Sequence, residues 1–278
     1  MAGKVGLVFD DGDHLHAPPV DGNGKERDHL ERPERTRVIW EGLVKSGLAA
    51  RCQRIPLREA TRTEALLCHT AEHCDALDAL ETQPPAMRAS WEARRGWSSI
   101  GQDMYFNEQT PSAARRAAGG VLALTQRVCC GQLTAGFAVV RPPGHHACSD
   151  KMCGFCFLNS AAIAARVAVR RHKVKRVILF DWDVHHGNGT QEIFEEDASV
   201  LYISMHKLSH GFFPGTGELG EHGVGSGTGF TVNIPWRHVG MGDAEYLAAF
   251  DGEMRIRSCP RTPWPQAHPQ HAVRPPPP

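Results

Sequence analysis

Apolar residues along this chain fall into two rhythms. Short continuous runs, Val5 to Phe9, Gly136 to Val140, Val177 to Phe180, Val200 to Ser204 and Phe230 to Pro235, read as buried strands. Between them apolar positions recur at helical spacing. Arg32 Pro33 Glu34 Arg35 opens such a pattern through Leu48, with Pro33 suited to a first turn and Gly47 near the end. Pro111 to Cys130 is Ala-rich with the same spacing, and Asn159 to Arg171 repeats it before Lys173 to Arg176 leads into the Val177 run. Asp10 to Lys25, rich in Asp, Gly, His and Pro, reads as a loop, and a Gly-rich loop separates the last two strands. Strand, helix, strand alternation predicts a mainly parallel α/β sheet, whose functional loops lie beyond the strand C-termini.

Composition narrows this picture. The 278 residues, 41% hydrophobic, suffice for one large domain. Lys plus Arg and Asp plus Glu are 31 each, so no global basic field argues for direct nucleic-acid binding. Met1 to Asp10 resembles neither a secretory signal nor a transit peptide, and no run approaches the roughly 18 apolar residues of a spanning helix. The expectation is a soluble protein of nucleus or cytoplasm, with no membrane partner and its nine cysteines mostly reduced. After Phe250 the character changes: eight prolines fall between Asp251 and Pro278. The expected organisation is a domain over 1–250 and a proline-rich, disordered tail over 251–278.

Candidate chemistry concentrates in Ile178 to Gly189, ILFDWDVHHGNG, where an apolar run ends in two carboxylates and two imidazoles. In extended backbone Asp181, Asp183 and His185 would share one face and His186 the other. A second cluster, Arg141 Pro142 Pro143 Gly144 His145 His146, also follows a strand, so both clusters are expected at one sheet edge. Catalytic zinc usually takes three protein ligands and keeps one position open; Asp183 and His185 would supply two. His145 or His146 would accept a proton from the attacking water and return it to a leaving group. Asp181 would orient an imidazole or bind a hard cation. Cys148, Cys153 and Cys156 have the C-x4-C-x2-C spacing of iron–sulfur ligands, but with Phe155 and Phe157 around Cys156 an apolar wall is the more economical account.

RPPGHH at Arg141 to His146, GFCFLN at Gly154 to Asn159, DWDVHHGNGTQ at Asp181 to Gln191 and HGFFPGTG at His210 to Gly217 together resemble the zinc-dependent histone deacetylase family. ERPER at Glu31 to Arg35, GFTVNIPW at Gly229 to Trp236 and MGDAEYLAAF at Met241 to Phe250 resemble its class II branch. The resemblance implies a three-layer α/β fold of the arginase/deacetylase kind, a mainly parallel central sheet flanked by helices, here incomplete at the C-terminal end. It implies an enzyme that hydrolyses N-acetyl-lysine to lysine and acetate, with Zn2+ and a structural K+ as cofactors. Its partners would be acetylated histones or other acetyl-lysine proteins, and corepressor-type complexes. Carried over by position, Asp183 and His185 would bind zinc, His146 would act as general base, and His145 would be its electrostatic partner. Asp181 would support His145 and bind potassium with Ser204. Asn188 stands where class I members carry Asp beside the second histidine. Phe155, Phe213 and Gly154 would line the acetyl-lysine tunnel, whose facing rings suit an aliphatic stem. Two further expected parts, an Asp in a motif resembling SAGFDA as third zinc ligand and a Gly-Gly-Tyr segment for the oxyanion, have no counterpart after Phe250. A deacetylase-like binding protein without turnover, or an enzyme for small acetylated amines, are the alternatives the resemblance leaves open.

Overall fold

The computed structural model describes residues 3–18, 29–83 and 104–254. Its contacts divide the chain into two compact units. The first holds the described residues through Val177 together with Asn188–Ile193; the second holds Ile178–Gly187 and the described residues from Phe194 onward.

In the first unit, strand β1 (Val5–Phe9) lies between β2 (Gln53–Arg54) and β3 (Ala135–Val139), parallel to both, with Val5 opposite Ala135 and Phe9 opposite Val139. Helix α1 (Glu34–Lys45) stops at Ser46 because Gly47 turns left-handed at φ 73°. The chain restarts as α2 (Leu48–Arg51), so the single helix expected through Leu48 is two pieces. Two short helices follow, α3 (Arg62–Ala65), capped by Thr61 and Glu64 in a capping box, and α4 (Ala71–Ala79), capped by Thr70. Helix α5 (Thr110–Cys129) has Pro111 in its first turn and buries Ala113, Ala114, Ala117, Ala118, Gly119 and Gly120. Small residues are needed there: a Cβ on Gly119 would sit 2.0 Å from the Arg58 carbonyl oxygen. Helix α6 (Ser160–His172) is capped by the Asn159 side chain. Val8, Ile55, Ala123, Leu124 and Leu133 form an apolar core between β1 and α5.

A buried ion pair ties the N-terminal region to the RPPGHH segment. The Arg141 guanidinium donates to both Glu31 carboxylate oxygens, at 2.8 and 2.5 Å, and each residue is 1% exposed. The Tyr105 hydroxyl joins them, 2.9 Å from Glu31 Oε2. Burial alone would raise the Glu31 carboxyl, but Arg141's hydrogen bonds and charge bring it below its ordinary value. His16 beside the pair is pushed down to about 3 by burial and then by the Arg141 charge, so it is neutral at pH 7.

In the second unit, β4 (Val177–Asp181), β5 (Val200–Lys207) and β6 (Thr231–Trp236) form a sheet in that order, with β5 and β6 parallel. β5 runs three residues past the expected Ser204 and is buried through His206, which matches a central strand covered on both faces. Helix α7 (Asn188–Phe194) follows the DWDVHHGNG segment, and α8 (Asp243–Ala249) passes into a π-helical turn over Phe250–Met254. The tail expected to be disordered lies, from residue 255 onward, outside the described residues. β3 is thus a strand of the first unit's sheet and β4 a strand of the second's.

Candidate active site

The first unit assembles the tandem-histidine loop from underneath. After β3 the chain passes the cis Arg141–Pro142 bond and enters residues 144–148, braced by α4, the Asn159 cap and the first turns of α7. His69 Nδ1 donates to the Cys148 carbonyl at 2.8 Å, while its Nε2 accepts the Asn159 N–H at 3.0 Å. His73 Nε2 lies 2.7 Å from the Phe157 carbonyl, and the two rings stack at 4.3 Å. Burial, then the neighbouring His73, lowers His69 to about 3, so this pair is a neutral structural brace. The Asn159 amide donates to the Ala147 carbonyl (3.3 Å) and the Thr190 hydroxyl (3.0 Å), while Thr190 N–H donates to the His145 carbonyl (3.1 Å).

On this support His146 is 4% exposed, and its Nδ1 lies 2.8 Å from Asn188 Oδ1. An amide oxygen only accepts, so Nδ1 carries the proton and Nε2 the lone pair, the tautomer able to take a proton. His145 is tilted against His146 with ring centroids 4.0 Å apart. Gly154 makes the close approach possible: at φ 51° its added Cβ would meet His146 Cδ2 at 2.3 Å. Phe155 holds φ 69°, costly for a bulky residue, and its ring meets the edge of His29 at 4.9 Å.

The second unit gathers the other predicted residues. β4 ends at Asp181, and two successive side-chain turns follow: Asp183 N–H donates to Asp181 Oδ1 (3.1 Å) and His185 N–H to Asp183 Oδ1 (2.8 Å). The alternation expected through His185 is therefore wrong, because the chain leaves the strand at Asp181. Asp183 and His185 are neighbours by turn geometry instead, with Nδ1 to Oδ1 at 3.2 Å and side chains 48% and 37% exposed. The His185 ring stacks on Phe212 (4.9 Å) and meets Phe213 at 6.1 Å, while Lys207 caps the far face of the pair, 4.5 Å from the Phe212 centroid. Phe213 precedes a cis bond to Pro214 and is itself exposed.

Asp181 Oδ2 is 3.2 Å from the Tyr202 hydroxyl, whose pKa burial and then the Asp181 charge raise well above its usual value. Ser204 is buried with its hydroxyl 2.9 Å from His206 Nδ1. These oxygens have the chemistry a hard cation takes. For zinc, a carboxylate and an imidazole are suitable donors, yet among the described residues no group of three His, Cys, Asp or Glu converges. Among the described residues the donor set is one short. The cysteine stretch holds Cys148 and Cys156 buried, with Cys153 and Cys156 paired by a backbone bridge, in keeping with an apolar wall.

Sequence reasoning missed His69, His73, Asn159 and Thr190 as supports of the histidine loop. The spacing of His69 and His73 by four residues on either side of a helix start was the available signal. It also missed His186, whose Nδ1 meets the Thr216 hydroxyl at 2.8 Å, and Gly217, where a Cβ would strike His206 at 2.4 Å.

The chain is similar to known proteins over most of its length. The family model described as "Histone deacetylase domain" matches residues 29–259. The chain belongs to the histone deacetylase family. Histone deacetylase 15 of Arabidopsis thaliana is 45% identical over 228 residues, covering 81% of this chain and 39% of that protein. Histone deacetylase 5 of the same plant is 40% identical, covering 89% and 37%. Polyamine deacetylase HDAC10 of Danio rerio is 42% identical, covering 80% and 32%. The chain thus spans about a third to two-fifths of these relatives. The crystal structure of the HDA15 HD domain is 41% identical with a TM-score of 0.81, over 91% of this chain and 68% of that one. With the parallel sheets and flanking helices, that likeness gives this chain the arginase/deacetylase fold. Among its described residues no helix is long and apolar enough to cross a membrane.

Proposed function

We propose that this chain is the proton-transfer and substrate-tunnel part of a lysine deacetylase, acting on N-acetyl-lysine in histones or other proteins of nucleus or cytoplasm. The observation that carries the reading is the Asn188 Oδ1 contact to His146 Nδ1, at 2.8 Å, which leaves Nε2 as the proton acceptor. His146 takes the proton of the attacking water and returns it to the departing lysine nitrogen; such a group contributes about 10²–10⁴ in rate. His145, beside it, tunes the charge that forms. By their positions in the family's motifs, Phe155 and Phe213 are the proposed tunnel residues for the aliphatic stem, together with Gly154. Asp183 and His185 would hold zinc if a third donor completed the site, and the ion would there supply carbonyl polarisation. Asp181 and Ser204 would hold potassium, and corepressor-type assemblies are the expected larger partners.

A second reading is acetyl-lysine binding without turnover, in keeping with the two zinc donors found among the described residues. Zinc content and hydrolysis of an acetyl-lysine peptide separate the two. One tightly held zinc with acetate release supports the enzyme; peptide binding by folded protein without either supports the binding protein. Acetylspermidine belongs in the same assay, because a similar relative is named a polyamine deacetylase. Selection of a cationic substrate would want a free carboxylate near the rim; Glu218 and Glu221, which follow the HGFFPGTG segment, are both engaged, Glu218 with Arg237 at 2.5 Å and Glu221 with the Gly217 and Glu218 N–H groups. The peptide is therefore the expected better substrate.

A further inference from the structure

Asn188 can fix the His146 tautomer only if its own amide is fixed. An amide rotated by half a turn would present NH2 to Nδ1, move the imidazole proton to Nε2 and abolish the acceptor. Something must distinguish the two orientations, and the other end of the amide shows what does. Asn188 Nδ2 donates to Cys148 Sγ at 3.5 Å. Cys148 is 6% exposed, and its thiol hydrogen is committed elsewhere: Sγ lies 3.8 Å from the His146 carbonyl oxygen, and the Glu192 carboxylate is the adjacent charge. Burial first, then that carboxylate, pushes the thiol up to about 12, so it stays protonated. Glu192 is itself held in place by the Ser149 N–H at 3.0 Å and hydroxyl at 2.8 Å. With its one hydrogen given to the His146 carbonyl oxygen, the sulfur faces Asn188 with lone pairs. It accepts from NH2 and has nothing to donate to an amide oxygen.

We propose that Cys148 is a positioning residue: by accepting the Asn188 NH2 it selects the amide orientation that keeps the His146 proton on Nδ1. The relay runs from Cys148 through Asn188 to His146, and Cys148 touches no substrate. The inference deepens the reading of His146 as the proton acceptor and rests on it for its catalytic meaning. The relay itself is measurable without turnover.

The test is the imidazole ¹⁵N NMR spectrum of His146 in the full chain, at a pH where the ring is neutral. In the parent, Nδ1 gives the protonated and Nε2 the unprotonated signal. Cys148→Ala removes the discrimination, and the expected result is averaging or reversal of the two shifts. Cys148→Ser, with a hydroxyl that donates to the same oxygen, keeps the parent pattern. Cys148→Ala combined with Asn188→Asp restores it, because a carboxylate only accepts. In the acetyl-lysine assay Cys148→Ala should lower kcat about tenfold with KM unchanged, the loss of about 1.4 kcal/mol at the transition state. Unchanged His146 shifts in Cys148→Ala overturn the relay. If Cys148→Ala does not fold, a folded Cys148→Ser that loses the parent pattern overturns it equally. Shifts that move while kcat stays constant uphold the relay and refute His146 as the base.

Discussion

At the scale of single residues, the space around His146 is set by what its neighbours lack. Gly154 has no Cβ and sits at φ 51°, and a methyl there would overlap the imidazole at 2.3 Å. Gly154→Ala should therefore displace the ring from Asn188 and destabilise the fold by about 1–3 kcal/mol. Urea unfolding reads the second effect and the His146 ¹⁵N shifts the first; a variant of parental stability with an unmoved ring would contradict the packing described. The residue types of this site were largely legible in the sequence, since GHH, GFC and DWDVHHGNG announce their chemistry. Their contacts were not. Cys148 read as a possible cluster ligand, yet its sulfur meets an asparagine forty residues away in the chain. No spacing rule encodes such a contact.

Elements explain why the loop bearing His145 and His146 holds its shape. Asn159 caps α6 by accepting the Ala162 N–H at 3.0 Å, and its amide NH2 also donates to Ala147 and Thr190. Replacing it with Ala removes a cap worth about 0.5–2 kcal/mol and orphans the buried carbonyl of Ala147, at roughly 1–3 kcal/mol more. The expected outcome for Asn159→Ala is a loss of about 2–4 kcal/mol by denaturant unfolding, with faster amide exchange at residues 145–148. A loss confined to helix fraying, with exchange unchanged in that loop, would mean the cap does not support the site. Strand positions were read to within a residue or so for β1, β3, β4 and β6, because continuous apolar runs mark parallel strands. The turn after β4 was misread. Alternation was extended through residues that the Asp181 and Asp183 side chains had already bent into turns.

For the whole molecule, the buried neutral histidines set the acid limit. His16 and His69 fall from 6.5 to about 3 on folding, whereas in the unfolded chain they titrate near their ordinary value. Between those values the unfolded state binds more protons, so their contribution is complete above about pH 6.5 and is lost as pH falls toward 3. Each removes roughly 1.4 kcal/mol per pH unit in that window. Glu31, lowered beside Arg141, adds loss in the same direction at the acid end. Against a typical total of about 5–15 kcal/mol, urea midpoints should fall steeply from pH 7 to pH 5; a flat profile would show that these rings are hydrated. Fold and family were readable from motif order along the chain. The division into two units, each with its own three-stranded sheet, was not, since strand pairing depends on contacts between distant segments.

The central claim is that His146, held by Asn188, is the proton acceptor of an acetyl-lysine hydrolase. Its most direct test is the rate of acetate release from an acetyl-lysine peptide, with zinc supplied, by the parent chain and by His146→Ala. Turnover in the parent that falls about 10²–10⁴-fold in the variant is the predicted result. Equal rates in the two proteins, or a folded, zinc-supplied parent that binds the peptide and releases no acetate, would contradict it.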